Sequence, residues 1–418
     1  MVFLLYGLNF SPELVGIGKY TGELAKALVK KGHQVIVVTT PPYYPAWQVG
    51  QGYRAHLYTV EESLNLKVIR CPLWVPRRIS GFKRMLHLLS FALSSASVVY
   101  REVGKKPDLI FTVAPAIVAA PVASRVGKHF GVCTWLHIQD FEIEAALNLG
   151  ILKAGETSKR FRYISDIESG IYNRFDRISS ISRKMVQHLE DKGVPPEKAI
   201  YFPNWIDAEE IHPLDGINEY RSLLGLDPDC IVVLYSGSMG AKQGLEVILA
   251  SASQLSGEPV VHFVICGEGS AKQGLQRKAE GMTNVHFMPL QPTEKLNQLL
   301  NVADIHLIPQ KRGATDLVMP SKLLGILASS KPVIAGCMHD SELYNVVSEV
   351  GVPIEPENST ALTDAIQRLV GDPITRKELG AKGRAYCVEN YSREEVIDQF
   401  INEAEKVIIE CRNIPQNN

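Results

Sequence analysis

Cationic side chains and one carboxylate are concentrated between Gln310 and Gly336, beside a predicted helix start. The tripeptide Pro320-Ser321-Lys322 suits the opening of a helix, because proline fits the first helical position. Unpaired backbone N–H groups and a partial positive charge at a helix start favour a phosphate. The stretch therefore predicts a site for a phosphorylated, hydroxyl-rich ligand, and the alternative is an ordinary charged loop of an α/β sheet. The residues that carry this prediction are Lys311, Arg312, Asp316, Pro320, Ser321 and Lys322.

Two turns that follow predicted strands carry small residues suited to holding an anion. Residues 236–244 read SGSMGAKQG, in which Gly237 lets the backbone approach a ligand and Lys242 supplies a point charge. This is not a P-loop, because no glycine-lysine pair followed by serine or threonine closes it. Gly267 and Glu268 form a second turn, which either borders a nucleotide base or merely joins a strand to a helix.

A glycine pair follows the first predicted strand. Gly16 and Gly18 precede a helical segment, and without a β-carbon they allow the backbone to lie close to a ligand. The pair is not a dinucleotide fingerprint, because Thr21 stands where the third glycine is required. An ordinary turn is the alternative interpretation.

His137 ends a predicted strand in the first half of the chain. A neutral imidazole at that position is suited to hydrogen-bonding a hydroxyl, with Asp140 either orienting it or capping the following helix. The alternative is a structural histidine, which is more common at the end of a strand.

A cluster of basic residues precedes the apolar helical segment from Met85 to Tyr100. Basic and apolar side chains in this order are typical of a helix that lies on an anionic membrane surface. The alternative is a helix with a buried apolar face and a basic lead. The basic residues are Arg77, Arg78, Lys83 and Arg84.

Bulk composition excludes several classes of protein. With 44 basic and 45 acidic side chains in 418 residues, the chain is not a general nucleic-acid binder. Seven widely spaced cysteines without a C-x-x-C pair predict neither a zinc site nor a disulfide framework, and they favour a reducing cytoplasm. The first residues predict a buried strand rather than a signal peptide. The longest apolar stretch falls short of the about 20 residues that span a membrane.

Short apolar runs alternate with helical segments along the whole chain. This alternation predicts parallel sheets covered by helices on both faces. The rhythm pauses near Pro203–Gly216 and then restarts, which indicates two doubly wound, Rossmann-like domains that face each other across a cleft. The predicted organisation is residues 1–207, residues 208–390 and a terminal helix in 391–418 that packs back toward the first domain.

Taken together, the motifs resemble the retaining glycosyltransferases of family 4, which have the GT-B fold. The resemblance spans nearly the whole chain, and its strings YGLNFSPELVGIGKYTGE, TTPPYYPAWQVG and GAKQGLE are most similar to the WbuB-type L-fucosamine transferases of bacterial surface polysaccharides. It rests on the Gly16/Gly18 loop and on KGHQVIVVTTPPYYP, LHIQD, FPNWID, YSGSMGAKQGLE, ICGEG and PSKLLGILASSKPVIA.

The resemblance implies a nucleotide-sugar donor, UDP-linked, in the second domain and an acceptor in the first. His137 and Asp316 would contact the transferred sugar, Lys242 would hold the diphosphate, and Gly16 and Gly18 would close over it. The remaining donor contacts would come from Gly237, Gly267, Glu268, Lys311, Arg312, Pro320, Ser321 and Lys322.

Two positions depart from the family's pattern. Gly325 stands where a ribose-binding glutamate is usual, and Ser238 stands where an arginine often follows the glycine of the phosphate loop. The nucleotide contacts are therefore expected to be redistributed.

The implied reaction is transfer of N-acetyl-L-fucosamine onto a sugar carried by undecaprenyl diphosphate, at the cytoplasmic face of the inner membrane. No metal or other cofactor is expected, and no nucleic acid. The rival interpretations are a nucleotide-sugar 2-epimerase and a catalytically degenerate scaffold of an assembly complex, the latter motivated by Gly325.

Overall fold

The computed structural model describes residues 1–13, 16–77, 80–114, 118–141, 159–216, 218–240, 243–312 and 320–413. The chain forms two compact units. The first comprises Met1–Pro203 with Ile397–Asn418, and the second comprises Asn204–Val396.

The first unit contains an eight-stranded sheet with the order β3-β4-β2-β1-β5-β6-β7-β8. Its neighbouring strands run parallel except for β3, which pairs antiparallel with β4. Central strands are apolar on both faces, as a sheet covered by helices requires. The strands are β1 Val2–Gly7, β2 Gln34–Thr39, β3 Thr59–Ser63, β4 Leu66–Arg70, β5 Leu109–Ala114, β6 Cys133–Ile138, β7 Arg177–Ser180 and β8 Ala199–Tyr201.

Helices follow these strands in alternation. The helices of the first unit are α1 Gly16–Lys30, α2 Gly81–Val103, α3 Ala120–Phe130, α4 Lys159–Tyr172 and α5 Arg183–Asp191, with a 3-10 turn at Pro196–Lys198.

The second unit contains a six-stranded parallel sheet with the order β11-β10-β9-β12-β13-β14. Its strands are β9 Ile231–Ser236, β10 Val261–Cys266, β11 Val285–Met288, β12 Ile305–Ile308, β13 Val333–Gly336 and β14 Val352–Ile354. Its helices are α6 Glu219–Leu223, α7 Glu246–Gln254, α8 Lys272–Lys278, α9 Leu296–Leu300, α10 Lys322–Ala328, α11 Glu342–Val350, α12 Ser359–Gly371 and α13 Pro373–Tyr391, with a 3-10 turn at Thr293–Lys295.

A last helix, α14 (Arg393–Asn413), brings the end of the chain into the first unit. Ser392 precedes it, and its hydroxyl accepts a hydrogen bond from the N–H of Glu395 at 3.4 Å. The ring of Phe400 packs among Phe3, Phe111 and Trp135, with centroids 5.0–5.9 Å away. Burying this aromatic ring explains why the helix belongs to the first unit.

The prediction of two parallel sheets wound with helices is confirmed, and short apolar runs of the chain form most of their strands. Strand β3 was not predicted, because its sequence TVEES is polar and it lies exposed at the edge of the sheet. Its register with β4 is set by the turn at Asn65, whose φ of 60° lies in the left-handed region that asparagine tolerates.

The sequence predicted no disulfide framework, and among the described residues a single pair of cysteines is bonded. Cys133 in β6 is joined to Cys411 in α14, with their α-carbons 6.1 Å apart. The partners are separated by 278 residues, so only the packing of α14 against the sheet brings them together. The other five cysteines are buried thiols.

Candidate functional site

Two glycine turns pack against each other at the carboxyl ends of β9 and β10. Gly237 and Gly267 have φ angles of 144° and 148°, which side chains rarely adopt. A β-carbon at Gly267 would overlap the carbonyl oxygen of Gly237. The turns are tied together by Met239, whose N–H donates to the carbonyl of Glu268 at 2.8 Å. This paired turn places two glycines, which have no β-carbon, where ligands of open parallel sheets bind.

The ammonium group of Lys322 lies beside the paired turn. Its Nζ is 3.4 Å from the hydroxyl of Tyr235 and 3.4 Å from Oε1 of Gln243. It also lies 4.4 Å from the centroid of the Tyr235 ring. A β-carbon built on Gly237 would be 3.5 Å from Nζ, so the cation is in reach of a ligand on that glycine.

Lys322 carries its charge among neutral partners. Within the described part of the chain, no carboxylate lies at ion-pair distance from it. Burial lowers the pKa of Lys322 to about 8, because a cation loses hydration there without gaining a counter-ion. A phosphate would supply the missing negative charge.

The other cations of the Gln310–Gly336 stretch are placed differently. Arg312 is exposed and already engaged, because its guanidinium bonds Glu355 at 2.8 Å and its backbone N–H donates to Glu357. The stem of Lys311 packs next to Gly244, whose φ is 63°. Among the three described lysine and arginine residues of the predicted phosphate site, Lys322 is the one adjacent to the glycine turns.

A helix begins where the sequence predicts one, but this helix is short. Helix α10 has seven residues. Ser321 is its N-cap residue and makes no side-chain capping hydrogen bond, and Pro320 precedes Ser321. The macrodipole of so short a helix is modest, so the charge on Lys322 is the stronger attraction for an anion.

Gly325 lies inside the unit, in the buried face of α10. A β-carbon there would be 3.2 Å from Cδ1 of Leu300, so a larger side chain would require Leu300 to move. The position therefore works as a packing glycine against α9.

Glu268 is exposed at the second turn, and its carboxylate pairs with Lys272 at 2.5 Å. Three residues of the predicted sites, Lys242, Asp316 and Arg78, lie outside the described residues.

In the first unit, His137 is buried, with 3% of its surface exposed. Its Nδ1 is 2.8 Å from the hydroxyl of Ser179, and its Nε2 is 3.1 Å from the amide nitrogen of Gln139. Phe111 and Phe202 pack on the ring. Burial lowers the pKa of His137 to about 3, so the imidazole is neutral. A ligand hydroxyl that bonds Nε2 of His137 has to displace the side-chain amide of Gln139.

The two glycines of the first loop have different surroundings. Gly16, with φ of 61°, is exposed and lines a cavity of about 200 Å³. Gly18 is buried, and a β-carbon there would lie 2.6 Å from atoms of Glu13. The first glycine therefore borders open space, and the second makes room for a carboxylate.

Sequence reasoning missed that carboxylate. Glu13 is 5% exposed, and its Oε1 accepts hydrogen bonds from the N–H groups of Tyr43 and Tyr44, each at 3.0 Å. Its Oε2 accepts one from the side chain of Asn9 at 2.8 Å. Burial raises the pKa of Glu13 despite these donors. A glutamate between a proline and an apolar pair gives no signal of this role, because two of its three donors, the N–H groups of Tyr43 and Tyr44, lie about thirty residues away.

Around that cavity the walls are polar and aromatic. Besides Gly16, it is lined by Leu8, Asn9, Ile17, Tyr43, Tyr44, Trp47, Arg84, His87, Leu88 and Asp140. A larger cavity of about 1030 Å³ shares Trp47 with it and includes Trp74 and Arg77.

Helix α2 has two apolar faces. One is buried, with Phe91, Val99 and Val103 on the sheet. The other is exposed, with Phe82 at 74% and Leu93 at 78%. Lys83 and Arg77 are exposed beside it, and Arg84 lines the smaller cavity. The interpretation as a helix with a buried apolar face therefore holds for one side of α2. The membrane interpretation of its exposed side stays a prediction.

In the described part of the chain, no three histidine, cysteine, aspartate or glutamate side chains come together as metal ligands would. Among the described helices, none has the length and apolar content of a membrane-spanning segment.

The fold is shared with solved two-domain glycosyltransferases. Sucrose-phosphate synthase from Thermosynechococcus elongatus aligns over 98% of this chain and 99% of its own, with a TM-score of 0.74 and 18% identity. HepE from Anabaena, in complex with UDP, aligns over 97% of this chain and 100% of its own, with a TM-score of 0.68 and 14% identity. The chain therefore has the GT-B fold.

Sequence comparison narrows the class to a family. A model described as "Glycosyl transferase 4-like domain" matches residues 15–205, and one described as "Glycosyl transferases group 1" matches residues 217–386. The chain is 41% identical to the "Putative colanic acid biosynthesis glycosyl transferase WcaI" of Escherichia coli K12, over 96% of this chain and 99% of that protein. It belongs to the family 4 glycosyltransferases, enzymes whose donor substrate is a nucleotide sugar.

Proposed function

We propose that this enzyme transfers a sugar, with net retention at the anomeric carbon, from a UDP donor to a lipid-diphosphate-linked sugar during assembly of a bacterial surface polysaccharide. N-acetyl-L-fucosamine is the sugar we propose. The 41% identity to a protein named for colanic acid biosynthesis supports the polysaccharide context. The WbuB-like strings in the sequence support the choice of sugar.

One observation carries the donor side of this proposal. The ammonium of Lys322 lies among neutral groups, within reach of the β-carbon-free paired turn of Gly237 and Gly267. A nucleoside diphosphate fits such a place, because glycine turns admit its oxygens closely and the cation offsets its charge.

During reaction, negative charge grows on the departing diphosphate. A cation fixed beside it stabilises that charge more in the transition state than in the ground state, which lowers the barrier. We assign this role to Lys322 together with Lys242, with the backbone N–H groups near Ser321, which follow Pro320, as further donors. Positioning an acceptor hydroxyl on the same face of the sugar as the leaving group then gives retention.

The sugar itself would be oriented by Asp316 and by the neutral imidazole of His137. Because Nε2 of His137 is 3.1 Å from Gln139, we propose that a sugar hydroxyl takes the place of that amide. Lys311, Arg312 and Glu268 would contact the outer parts of the nucleotide.

The acceptor side rests on α2. Its exposed apolar face and the basic Arg77, Lys83 and Arg84 match an anionic membrane surface, where a lipid-linked acceptor resides. Arg78 completes the basic cluster in the sequence. We therefore propose that the enzyme works on the cytoplasmic face of the inner membrane.

Calorimetric titration with UDP tests the donor site. We expect Lys322→Met to weaken UDP binding by about 10- to 100-fold, because a charge-assisted contact with phosphate is lost. Lys278→Met, an exposed lysine of the same unit, is the matched control and should bind as the wild type does. Equal affinities of the wild type and Lys322→Met would contradict the assignment.

A further inference from the structure

Two neighbouring cavities of the first unit differ in size, and each is lined by both polar and apolar side chains. The smaller, of about 200 Å³, offers the polar side chains of Asn9, Arg84 and Asp140. The larger, of about 1030 Å³, has room for a longer group and offers apolar surface from Val49, Leu73, Trp74 and Val75. Trp47 lines both.

The wall around Trp47 is built from packed rings. Its centroid lies 5.2 Å from that of His87 and 5.6 Å from that of Tyr43, and the latter two are 4.8 Å apart. Nδ1 of His87 lies 2.7 Å from the carbonyl oxygen of Trp74, which links the wall to the larger cavity.

His87 has a ring nitrogen that the protein leaves unused. The residue is 1% exposed, and its buried Nε2 has no hydrogen-bond partner among the described residues. The carbonyl of Trp74 can only accept, so Nδ1 carries the proton and Nε2 is a bare acceptor. Burial also lowers the pKa of His87, which keeps it neutral. A hydroxyl group is the partner that such a nitrogen requires.

Charges are placed to match the middle of an amphiphile. Arg84 lines the smaller cavity and Arg77 lines the larger one. A diphosphate that joins a sugar to a hydrocarbon chain has its negative charge between its polar and apolar ends. Two arginines, one on each cavity, complement that distribution.

We propose that the first unit binds the acceptor across Trp47, with the acceptor sugar in the smaller cavity and the first isoprene units of its lipid in the larger. A hydroxyl of this sugar donates to Nε2 of His87. This inference rests on the proposed function. It adds that the protein itself binds the first part of the lipid, so that this part leaves the membrane.

Steady-state kinetics with two synthetic acceptors test the proposal without membranes. Both carry the same sugar diphosphate, one on a short isoprenyl chain of two to three units and the other on a methyl group. For the wild type we expect the isoprenyl acceptor to have a KM at least about tenfold lower, because the larger cavity buries apolar surface.

Variants then separate the two cavities. Trp74→Ala should raise KM about tenfold for the isoprenyl acceptor only, since it removes an aromatic wall of the larger cavity. Ala55→Trp, which fills that cavity, should have the same selective effect. His87→Asn preserves a donor to the Trp74 carbonyl but removes Nε2, so it should raise KM for both acceptors alike. Leu223→Ala, on the surface of the second unit, is the control.

The outcomes distinguish this inference from the proposed function. If the wild type uses neither acceptor, the proposed function fails. If it uses both with equal KM, or if Trp74→Ala and Ala55→Trp affect both equally, transfer stands and the lipid site is wrong. If Trp74→Ala and Ala55→Trp leave the KM of both acceptors unchanged, the larger cavity does not hold the lipid and the inference is likewise wrong. Thermal melting of each variant confirms that it is folded.

Discussion

The proposed donor site depends above all on Lys322, whose ammonium group has no carboxylate partner among the described residues. A lysine so placed is partly buried, with Tyr235 and Gln243 as neutral neighbours. Ion pairs such as that of Arg312 with Glu355 are common on surfaces and indicate little. A cation beside glycine turns that has no carboxylate partner in the described part of the chain indicates a ligand that brings the negative charge.

The first prediction concerns pH and donor binding. Because the pKa of Lys322 is lowered to about 8, the free enzyme loses this positive charge as the pH rises through that value. UDP affinity should therefore fall between pH 7 and pH 9. Lys322→Arg, which stays charged, should show a flat profile over this range. A wild-type profile as flat as that of the arginine variant would contradict the assignment.

The second prediction concerns stability without ligand. The unfolded chain binds this proton more tightly than the folded one, so the charge costs stability below pH 8, and the cost disappears as the pH rises through 8 toward 10.5. Lys322→Met should therefore raise the free energy of unfolding at pH 7 by about 1 kcal/mol. Urea denaturation at pH 7 and pH 10 measures it. A gain in the free energy of unfolding of Lys322→Met that is larger at pH 10 than at pH 7 would contradict this prediction.

The third prediction concerns the buried carboxylate of Glu13. Glu13→Ala leaves three buried N–H donors without an acceptor and should cost about 3 kcal/mol of stability. Glu13→Gln keeps one oxygen for Tyr43 and Tyr44, and Asn9 can turn its amide, so its cost should be about 1 kcal/mol. Chemical denaturation compares them, with the exposed Glu62→Gln as the control. Equal losses for alanine and glutamine would argue against the hydrogen-bonding role.

At the scale of elements, the alternation of apolar runs and helical segments is enough to predict both sheets. That pattern reflects burial on both faces of a parallel strand, a local property of the sequence. Strand β3 lacks the pattern because it is exposed. The bond between Cys133 and Cys411 and the bonds of Glu13 join distant segments, so no local signal announces them.

The candidate sites likewise contain some features that the sequence predicts and others that depend on how distant segments pack. Glycine turns after strands are visible in the sequence, and Gly237 and Gly267 adopt the φ angles that explain them. Which lysine lies beside those turns depends on the packing of α10, and so does the burial of Gly325. His137 was predicted from its place at a strand end, but its contacts with Phe111 and Phe202 come from the core of the unit.

The fourth prediction belongs to helix α2. Replacing Phe82 and Leu93 by serine removes two exposed apolar side chains that do not pack in the core. Binding to vesicles with anionic lipid should weaken about tenfold or more, because less apolar surface enters the membrane. Co-sedimentation measures it, and Leu223→Ser in the second unit is the control. Unchanged binding would mean that this face has another use.

At the scale of the whole molecule, a family 4 glycosyltransferase combines a unit with a candidate donor site and a unit with a candidate acceptor site. The second unit contains the cation and paired turns around Lys322 and Gly237. The first unit contains the cavities around Trp47 and the exposed face of α2. We expect both sites to take part in one reaction, in which nucleotide is released only when sugar is transferred.

Mass spectrometry of a complete reaction tests that requirement most directly. Purified enzyme is mixed with a panel of UDP-sugars and a synthetic isoprenyl diphosphate sugar. We expect acceptor-dependent release of UDP, a product heavier by one sugar, greatest yield with UDP-N-acetyl-L-fucosamine, and a retained anomeric configuration by NMR. Another preferred donor would change only the sugar that we propose. Conversion of a donor to its isomer without acceptor, or no transfer from any donor, would contradict the account.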